Sequence, residues 1–181
     1  MDELSDLLGT DTAVGALADR LSGRPCWLVR ALLLDKSEAN NWALGWHQDR
    51  TIAVRARREV DGFGPWTLKA GVAHVVPPVS LLANMMTMRL HLDPVGQDNA
   101  PLLVAPMSHR VGLVLESELD AAISRCGQLA CLADRGDVWV YATLILHASE
   151  RSKVGTGRRV LQLDYSPDEL PGGLEWLGLA Y

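Results

Sequence analysis

Apolar positions follow a helical period over Thr12 to Leu21, where Val14, Leu17, Ala18 and Leu21 make one stripe. Gly23 ends that pattern and Pro25 opens an extended one. From Cys26 to Leu34 the chain is almost continuously apolar, short enough for a buried strand, and Asp35 to Asn41 turns polar as a loop would. Trp42 to Asp49 reads as extended. Thr51 to Arg57 then alternates strictly, Ile52, Val54 and Ala56 opposing Thr51, Ala53, Arg55 and Arg57. Between Asp61 and Pro78 the glycines and prolines crowd together, which predicts the longest irregular stretch, with Trp66 and His74 set in it. A loop of that length is either a substrate wall or lid, or a plain surface excursion.

Val79 to Asn84 suits a short helix started by Pro78. Met85 to Asp93 alternates as a strand, with Leu90 and Leu92 on one face and Arg89, His91 and Asp93 on the other, inward one. A turn over Pro94 to Pro101 leads to a strand at Leu102 to Ala105. Glu116 to Arg125 is helical, with Leu119, Ala122 and Ile123 inward. Four more strands are expected at Leu129 to Leu132, Asp137 to Ala142, Leu144 to Ala148 and Arg159 to Tyr165. Many short strands with few helices predict a mainly β, antiparallel double-sheet or jelly-roll domain.

The 181 residues suit one domain with a real core. A formal charge of −5 without a basic run argues against a nucleic-acid footprint. Three cysteines, Cys26, Cys126 and Cys131, show no zinc-like spacing and read as reduced thiols of a cytoplasmic protein. Met1-Asp2-Glu3-Leu4 lacks the pattern of a signal peptide, and no apolar run approaches the ~20 residues that span a bilayer. The six tryptophans are explained as readily by core packing as by ligand stacking.

The chemistry centres on Trp46-His47-Gln48-Asp49. Residues two apart on a strand point the same way, so His47 and Asp49 can share one metal while Gln48 faces elsewhere. His147 is the candidate third ligand. Two imidazoles and a carboxylate on one face of an octahedron are the ligand set of non-haem Fe(II) oxygenases. A second pair, His91-Leu92-Asp93, has the same spacing. Asp93 runs straight into Pro94 and a polar turn, the setting of a strand-ending aspartate bonded to nearby backbone, so the first pair is preferred.

Four motifs in order carry a resemblance: Trp46-His47-Gln48-Asp49; Asn99-Ala100-Pro101-Leu102 running to Pro106-Met107-Ser108-His109-Arg110; Gly136-Asp137-Val138 leading to Leu146-His147-Ala148-Ser149; and Gly157-Arg158-Arg159-Val160-Leu161. Over residues 25–166 the chain resembles the phytanoyl-CoA dioxygenase family of Fe(II)- and 2-oxoglutarate-dependent oxygenases. The likeness implies a double-stranded β-helix, cupin-like, preceded by an N-terminal helical segment (1–24) and followed by a tail (167–181). It implies that His47, Asp49 and His147 bind Fe(II). Arg158, with Ser149 beside it, would then hold the distal carboxylate of 2-oxoglutarate, Arg159 being the neighbour that a one-residue slip would bring in. O2 and a small-molecule substrate complete the reaction, in which 2-oxoglutarate is decarboxylated to succinate and a C–H bond is oxidised. Relatives that halogenate lack the carboxylate, so Asp49 favours hydroxylation.

Arg89 stands where many relatives have a tryptophan lining the cosubstrate pocket, and either aids 2-oxoglutarate or meets an anionic group of the substrate. Ala100 and Met107 replace glycines in turns, where glycine is favoured for its backbone freedom. His91, His74 and Trp66 are candidate substrate contacts, His91 equally an interior histidine. His109 reads as structural, and Arg55, Arg57 and Arg58 as a solvated face. Two other classes stay open: a jelly-roll metalloenzyme that does not use 2-oxoglutarate, and a non-catalytic domain of the same fold.

Overall fold

The computed structural model describes Leu8, residues 12–155 and residues 157–179. The acidic start Met1 to Leu4 lies outside the described residues, as do parts of the expected N-terminal segment and tail. Helix α1 (Ala13–Ser22) forms where the periodicity put it. Thr12 caps it by accepting from Gly15 N–H at 3.2 Å, and Gly23, at φ 71°, returns its N–H to Asp19 O. Two further helices are α2 (Val79–Asn84) and α3 (Leu119–Cys126).

The described strands are β1 (Trp27–Lys36), β2 (Leu44–His47), β3 (Ile52–Val54), β4 (Trp66–Lys69), β5 (Val72–Val75), β6 (Met86–His91), β7 (Leu102–Val104), β8 (Leu129–Cys131), β9 (Val138–Ala142), β10 (His147–Ser149) and β11 (Arg158–Ser166). They make sheets ordered β1-β11-β6-β9, β2-β10-β7-β8 and β3-β5-β4. The fold is mainly β, a jelly roll with few helices, as the strand pattern predicts.

The chain packs as two compact units. Unit one comprises the described residues of Met1–Ala31, Arg50–Met86 and Leu163–Tyr181; unit two comprises Leu32–Asp49 and Thr87–Gln162. In unit one, β3 is buried at all three positions, Ala53 included, so the strict alternation expected there does not hold. The reason is the tail: Trp176 bridges to Val54, and Leu177 N–H donates to Ala53 O, covering the second face of the strand. Arg55 and Arg57 are exposed and paired with Glu175 and Glu59.

Residues 61–78 are not the irregular excursion that their glycines and prolines suggest. They hold β4 and β5, paired from Trp66↔Val75 to Lys69↔Val72. The hairpin turns on Ala70 and Gly71, both at positive φ (48° and 80°), the backbone of a two-residue type I′ turn. Alanine is a poor advertisement for such a turn, which hid the hairpin.

In unit two, Leu102 and Val104 of β7, Cys131 of β8 and Ile145 pack against Trp139 and Tyr141 of β9. A second cluster joins Ala105, Val114 and Leu146 to Ala122 and Ile123 of α3, with Trp46 and Leu119 against it. Strand β1 departs from expectation. Its apolar run is only partly buried: Val29 is 1% and Leu33 54% exposed, whereas Lys36, two residues past the run, is 1% exposed. The cysteines are free, as read.

Ala100 (φ 49°) and Met107 (φ 66°) occupy the left-handed region. These are the two positions singled out as replacing glycine. Met107 is half exposed, so Met107→Gly should relieve strain without opening a cavity. Left-handed backbone costs a side-chain-bearing residue roughly 1–2 kcal/mol, against roughly 0.5–1 kcal/mol for glycine's extra freedom when unfolded. Met107→Gly should therefore stabilise the protein by about 0.5–1 kcal/mol in urea unfolding, with an unchanged m-value.

Candidate active site

His47 closes β2 and His147 opens β10, and antiparallel pairing sets them directly opposite one another. Their ring centroids are 4.2 Å apart. Asp49, two residues on, brings Oδ2 to 3.9 Å from His147 Nε2. One donor atom from each of the three lies within 4.8 Å of the others, and among the described residues no other such group of histidine, cysteine or acidic side chains forms.

Each imidazole is oriented by the backbone carbonyl two residues before it. His47 Nδ1 lies 2.7 Å from Gly45 O, and His147 Nδ1 lies 3.0 Å from Ile145 O. A carbonyl only accepts, so Nδ1 carries the proton and the Nε2 lone pair is left for a ligand. Burial holds His147 well below the ordinary histidine range, Asp49 pulling the other way. It is therefore neutral at pH 7, the form that ligates a metal.

Gln48 faces away from the cluster, as the strand period requires, and fixes it from behind. Its amide donates to Gly112 O at 2.8 Å and Leu144 O at 2.7 Å, and its carbonyl accepts from Val114 N–H at 2.9 Å. Ser108, from the Ser-His-Arg motif, accepts from Leu146 N–H at 2.8 Å and so pins the residue before His147. His109 itself is half-buried in that turn.

The second feature of unit two is buried positive charge. Strand alternation turns Arg158 inward (1% exposed) and Arg159 outward. Arg158 Nη1 donates to Ala100 O, the carbonyl aimed by that residue's left-handed backbone. Lys36 Nζ donates to Ser149 Oγ at 2.9 Å and to Glu150 O. Arg89, 7% exposed, donates from Nη2 to Gln162 Oε1 at 3.0 Å.

Among the described residues no carboxylate pairs with Lys36, Arg89 or Arg158. The Nε atoms of both arginines, and both ring nitrogens of buried His91, have no hydrogen-bond partner there. Proton affinities register the crowding. Burial, then Arg158 and Arg89, pushes Lys36 down to about 8 and His91 down to about 4. Burial and Arg89 bring Arg158 down to about 10. Buried charge without a counter-charge is strongly unfavourable.

The competing His-x-Asp pair comes apart. His91 faces the interior, whereas Asp93 lies past the strand end and takes Arg159 in a two-pronged ion pair, 2.9 Å to Nε and 2.8 Å to Nη2, plus the Arg159 N–H. That contact holds the Asp93 carboxyl down to about 2. Asp93 was expected to bond to backbone within its own turn; its partner is instead the neighbouring strand. His74 and Trp66 belong to unit one. His74 is buried on β5 with Nδ1 3.0 Å from Val72 O, and Arg57 lies over the Trp66 ring. Lys36 is the residue that sequence reasoning missed, because nothing in Asp35-Lys36-Ser37 separates a buried lysine from one at a strand's wet end.

A jelly roll carrying a two-histidine, one-carboxylate cluster defines the structural class, and comparison of folds gives it company. EctD from S. alaskensis with bound Fe superposes with a TM-score of 0.69 at 19% identity, covering 99% of this chain and 58% of that one. EctD with 2-oxoglutarate and 5-hydroxyectoine gives 0.63 at 20%, covering 90% and 50%. The non-heme alpha ketoglutarate dependent epimerase SnoN from nogalamycin biosynthesis gives 0.62 at 16%, covering 95% and 64%. The chain thus spans about half the length of EctD. No protein-family model and no curated protein sequence matches it. No helix among the described residues is long and apolar enough to cross a membrane.

The buried lysine gives a pH test. Its folded pKa of about 8 lies below the ordinary 10.5, so between these values the unfolded chain binds more protons and stability rises with pH. Below pH 8 the full penalty of charging Lys36 is present. Lys36→Met should therefore make the ligand-free protein more stable than wild type at pH 7, by a margin that shrinks towards pH 10.5. Chemical unfolding across that range checks it.

Proposed function

We propose that the chain is an Fe(II)- and 2-oxoglutarate-dependent dioxygenase of the phytanoyl-CoA dioxygenase kind, hydroxylating a small molecule with release of succinate and CO2. The observation that carries this reading is the pairing, within one compact unit, of a His/Asp/His cluster with a buried cation cluster that has no carboxylate of its own. The donor set fits iron: two imidazoles and a carboxylate suit Fe(II) and leave coordination positions for other ligands. The cations fit the other end of a dicarboxylate. The fold shared with EctD, whose structures hold Fe or 2-oxoglutarate, is consistent with both.

In this reading His47 and His147 hold the metal through Nε2 and Asp49 through its carboxylate. Arg158 takes the distal carboxylate of 2-oxoglutarate, its planar fork matching the two oxygens, with Ser149 and Lys36 beside it. Gln48 and Ser108 keep the two ligand-bearing segments in place. Iron with 2-oxoglutarate and O2 supplies the oxidising chemistry; the protein orients the ligands and keeps the ends of the cosubstrate apart. A jelly-roll metalloenzyme that did not use 2-oxoglutarate would leave Arg158 and Lys36 without a counter-ion.

Anaerobic titration of Fe(II)-loaded protein with 2-oxoglutarate should raise a weak visible metal-to-ligand charge-transfer band; well-folded, iron-loaded protein without it would remove 2-oxoglutarate from the reading. Arg158→Ala should weaken 2-oxoglutarate by about 2–5 kcal/mol, the loss for truncating one side of a buried charge pair, while Fe(II) affinity stays close to wild type. Finally, His47→Ala should abolish Fe(II) binding and turnover in a folded protein, whereas His91→Ala should keep the metal. Metal retained without His47 but lost without His91 would reverse the site.

A further inference from the structure

β6 and β11 are neighbours in their sheet, and two contacts fix how they align. Just past β6, Leu92 N–H donates to Arg159 O at 3.0 Å, and further back Arg89 Nη2 donates to Gln162 Oε1 at 3.0 Å. Both belong to one antiparallel register, which sets His91 opposite Val160 and one diagonal step from Arg158. Opposite residues share a face, and on this one Arg89, His91, Arg158 and Val160 are all buried. Diagonal neighbours lie roughly 7–8 Å apart, within reach of ring-bearing and long side chains. His91 thus stands in unit two with Arg89 beside it on its own strand and Arg158 across from it.

The backbone of His91 is engaged, its N–H donating to Asp137 O at 2.9 Å and its carbonyl accepting Gly136 N–H at 2.8 Å. Its ring is not. At 2% exposure neither ring nitrogen has a partner among the described residues, and Arg158 Nε has none either. The Asp137 carboxylate, which also acts on His91, is exposed and accepts Asp134 N–H at 2.8 Å instead. Burial, then Arg158 and Arg89, keep the ring neutral at pH 7, so it carries a single N–H. One inward face therefore presents two buried donors, one on an imidazole and one on a guanidinium, with no acceptor for either. Unpaired buried donors are costly, and a carboxylate, with about four lone-pair sites, can accept from both. The neutral ring also adds a donor without adding a fourth positive charge to Lys36, Arg89 and Arg158.

We propose that His91 is a cosubstrate-binding residue whose ring N–H joins Arg158 in holding the distal carboxylate of 2-oxoglutarate. This rests on the 2-oxoglutarate reading and deepens it by adding a second donor to that end of the site. Arg158 already gives Nη1 to Ala100 O, so its fork is not wholly available to a ligand, and the imidazole supplies what the carboxylate would otherwise lack. Expected as a substrate contact or an interior histidine, His91 is thereby assigned to the cosubstrate.

The test uses protein loaded with Zn(II), which is diamagnetic and does not turn over. By calorimetry, His91→Phe should weaken 2-oxoglutarate about tenfold or more, the loss of a hydrogen bond to a charged group, while Zn(II) affinity stays within about threefold. His91→Gln, which restores an N–H, should recover part of that loss. In wild type, the ring nitrogens of His91 are followed by two-bond nitrogen–proton NMR correlations and assigned by their absence from either variant. Saturation with 2-oxoglutarate should shift the protonated nitrogen; oxalate, which fills the metal's positions but has no distal carboxylate, should leave it in place. The proposal falls if His91→Phe binds 2-oxoglutarate within about threefold of wild type. It falls equally if the His91 nitrogens do not move when 2-oxoglutarate binds, or if oxalate moves them as far. In each of these cases 2-oxoglutarate still binds, and the reading beneath the proposal stands. Failure of 2-oxoglutarate to bind the metal-loaded wild type would instead overturn that reading and this proposal with it.

Discussion

The site depends on one register. β10 must meet β2 so that His147 falls opposite His47, because a side chain's face on a strand has a period of two. A slip of one residue would turn His47 out and bring Gln48 in, exchanging an imidazole for an amide. The chain guards against this from the other face. Gln48 makes three buried hydrogen bonds that only the correct register satisfies, and Ser108 fixes Leu146 beside His147. An unmade buried hydrogen bond costs about 1–3 kcal/mol, so a slipped strand would lose more than one contact's worth of stability.

Stability is spent in the opposite direction a few residues away. Arg89 is buried near enough to Lys36 and Arg158 to depress the proton affinity of both, with no carboxylate among the described residues to relieve the three. A protein selected for stability alone would place aliphatic groups there. Retaining three cations makes sense where ligands complete the electrostatics, and then binding and folding stability are linked: each anion that enters stabilises the folded chain by mass action. By contrast the Asp93–Arg159 pair lies at the surface, where solvent screening leaves such pairs little net worth. Its consequence is orientation, since tying Arg159 outward by side chain and backbone keeps Arg158 facing in.

Backbone strain serves the same corner. Ala100 adopts a left-handed conformation that glycine would take at less cost, and its carbonyl accepts from Arg158. The strained turn and the buried guanidinium are therefore one structural unit: the turn aims an acceptor at a cation that has few others.

Much of this was written in local pattern. Helix α1 with its stop at Gly23, α2 after Pro78, the inward face of α3, and Arg89 with His91 on one face of β6 are all short-range consequences of period and punctuation, and they fall where the sequence puts them. The pair His47 and Asp49, and His147 as a third partner, were legible because strand spacing and the order of motifs in the family the chain resembles restrict them. Three things were decided only by the tertiary structure. Residues 61–78 became a hairpin because pairing with β3 outweighed the turn-rich composition. The apolar run of β1 was left partly outside while Lys36 went in, because burial depends on which face the neighbouring strands cover and not on local hydropathy. The separation of His91 from Asp93, and the gathering of cations from β1, β6 and β11 around Ser149 and Tyr141, join residues distant in sequence. Spacing along a chain fixes directions within one strand; which strands become neighbours fixes what those directions point at.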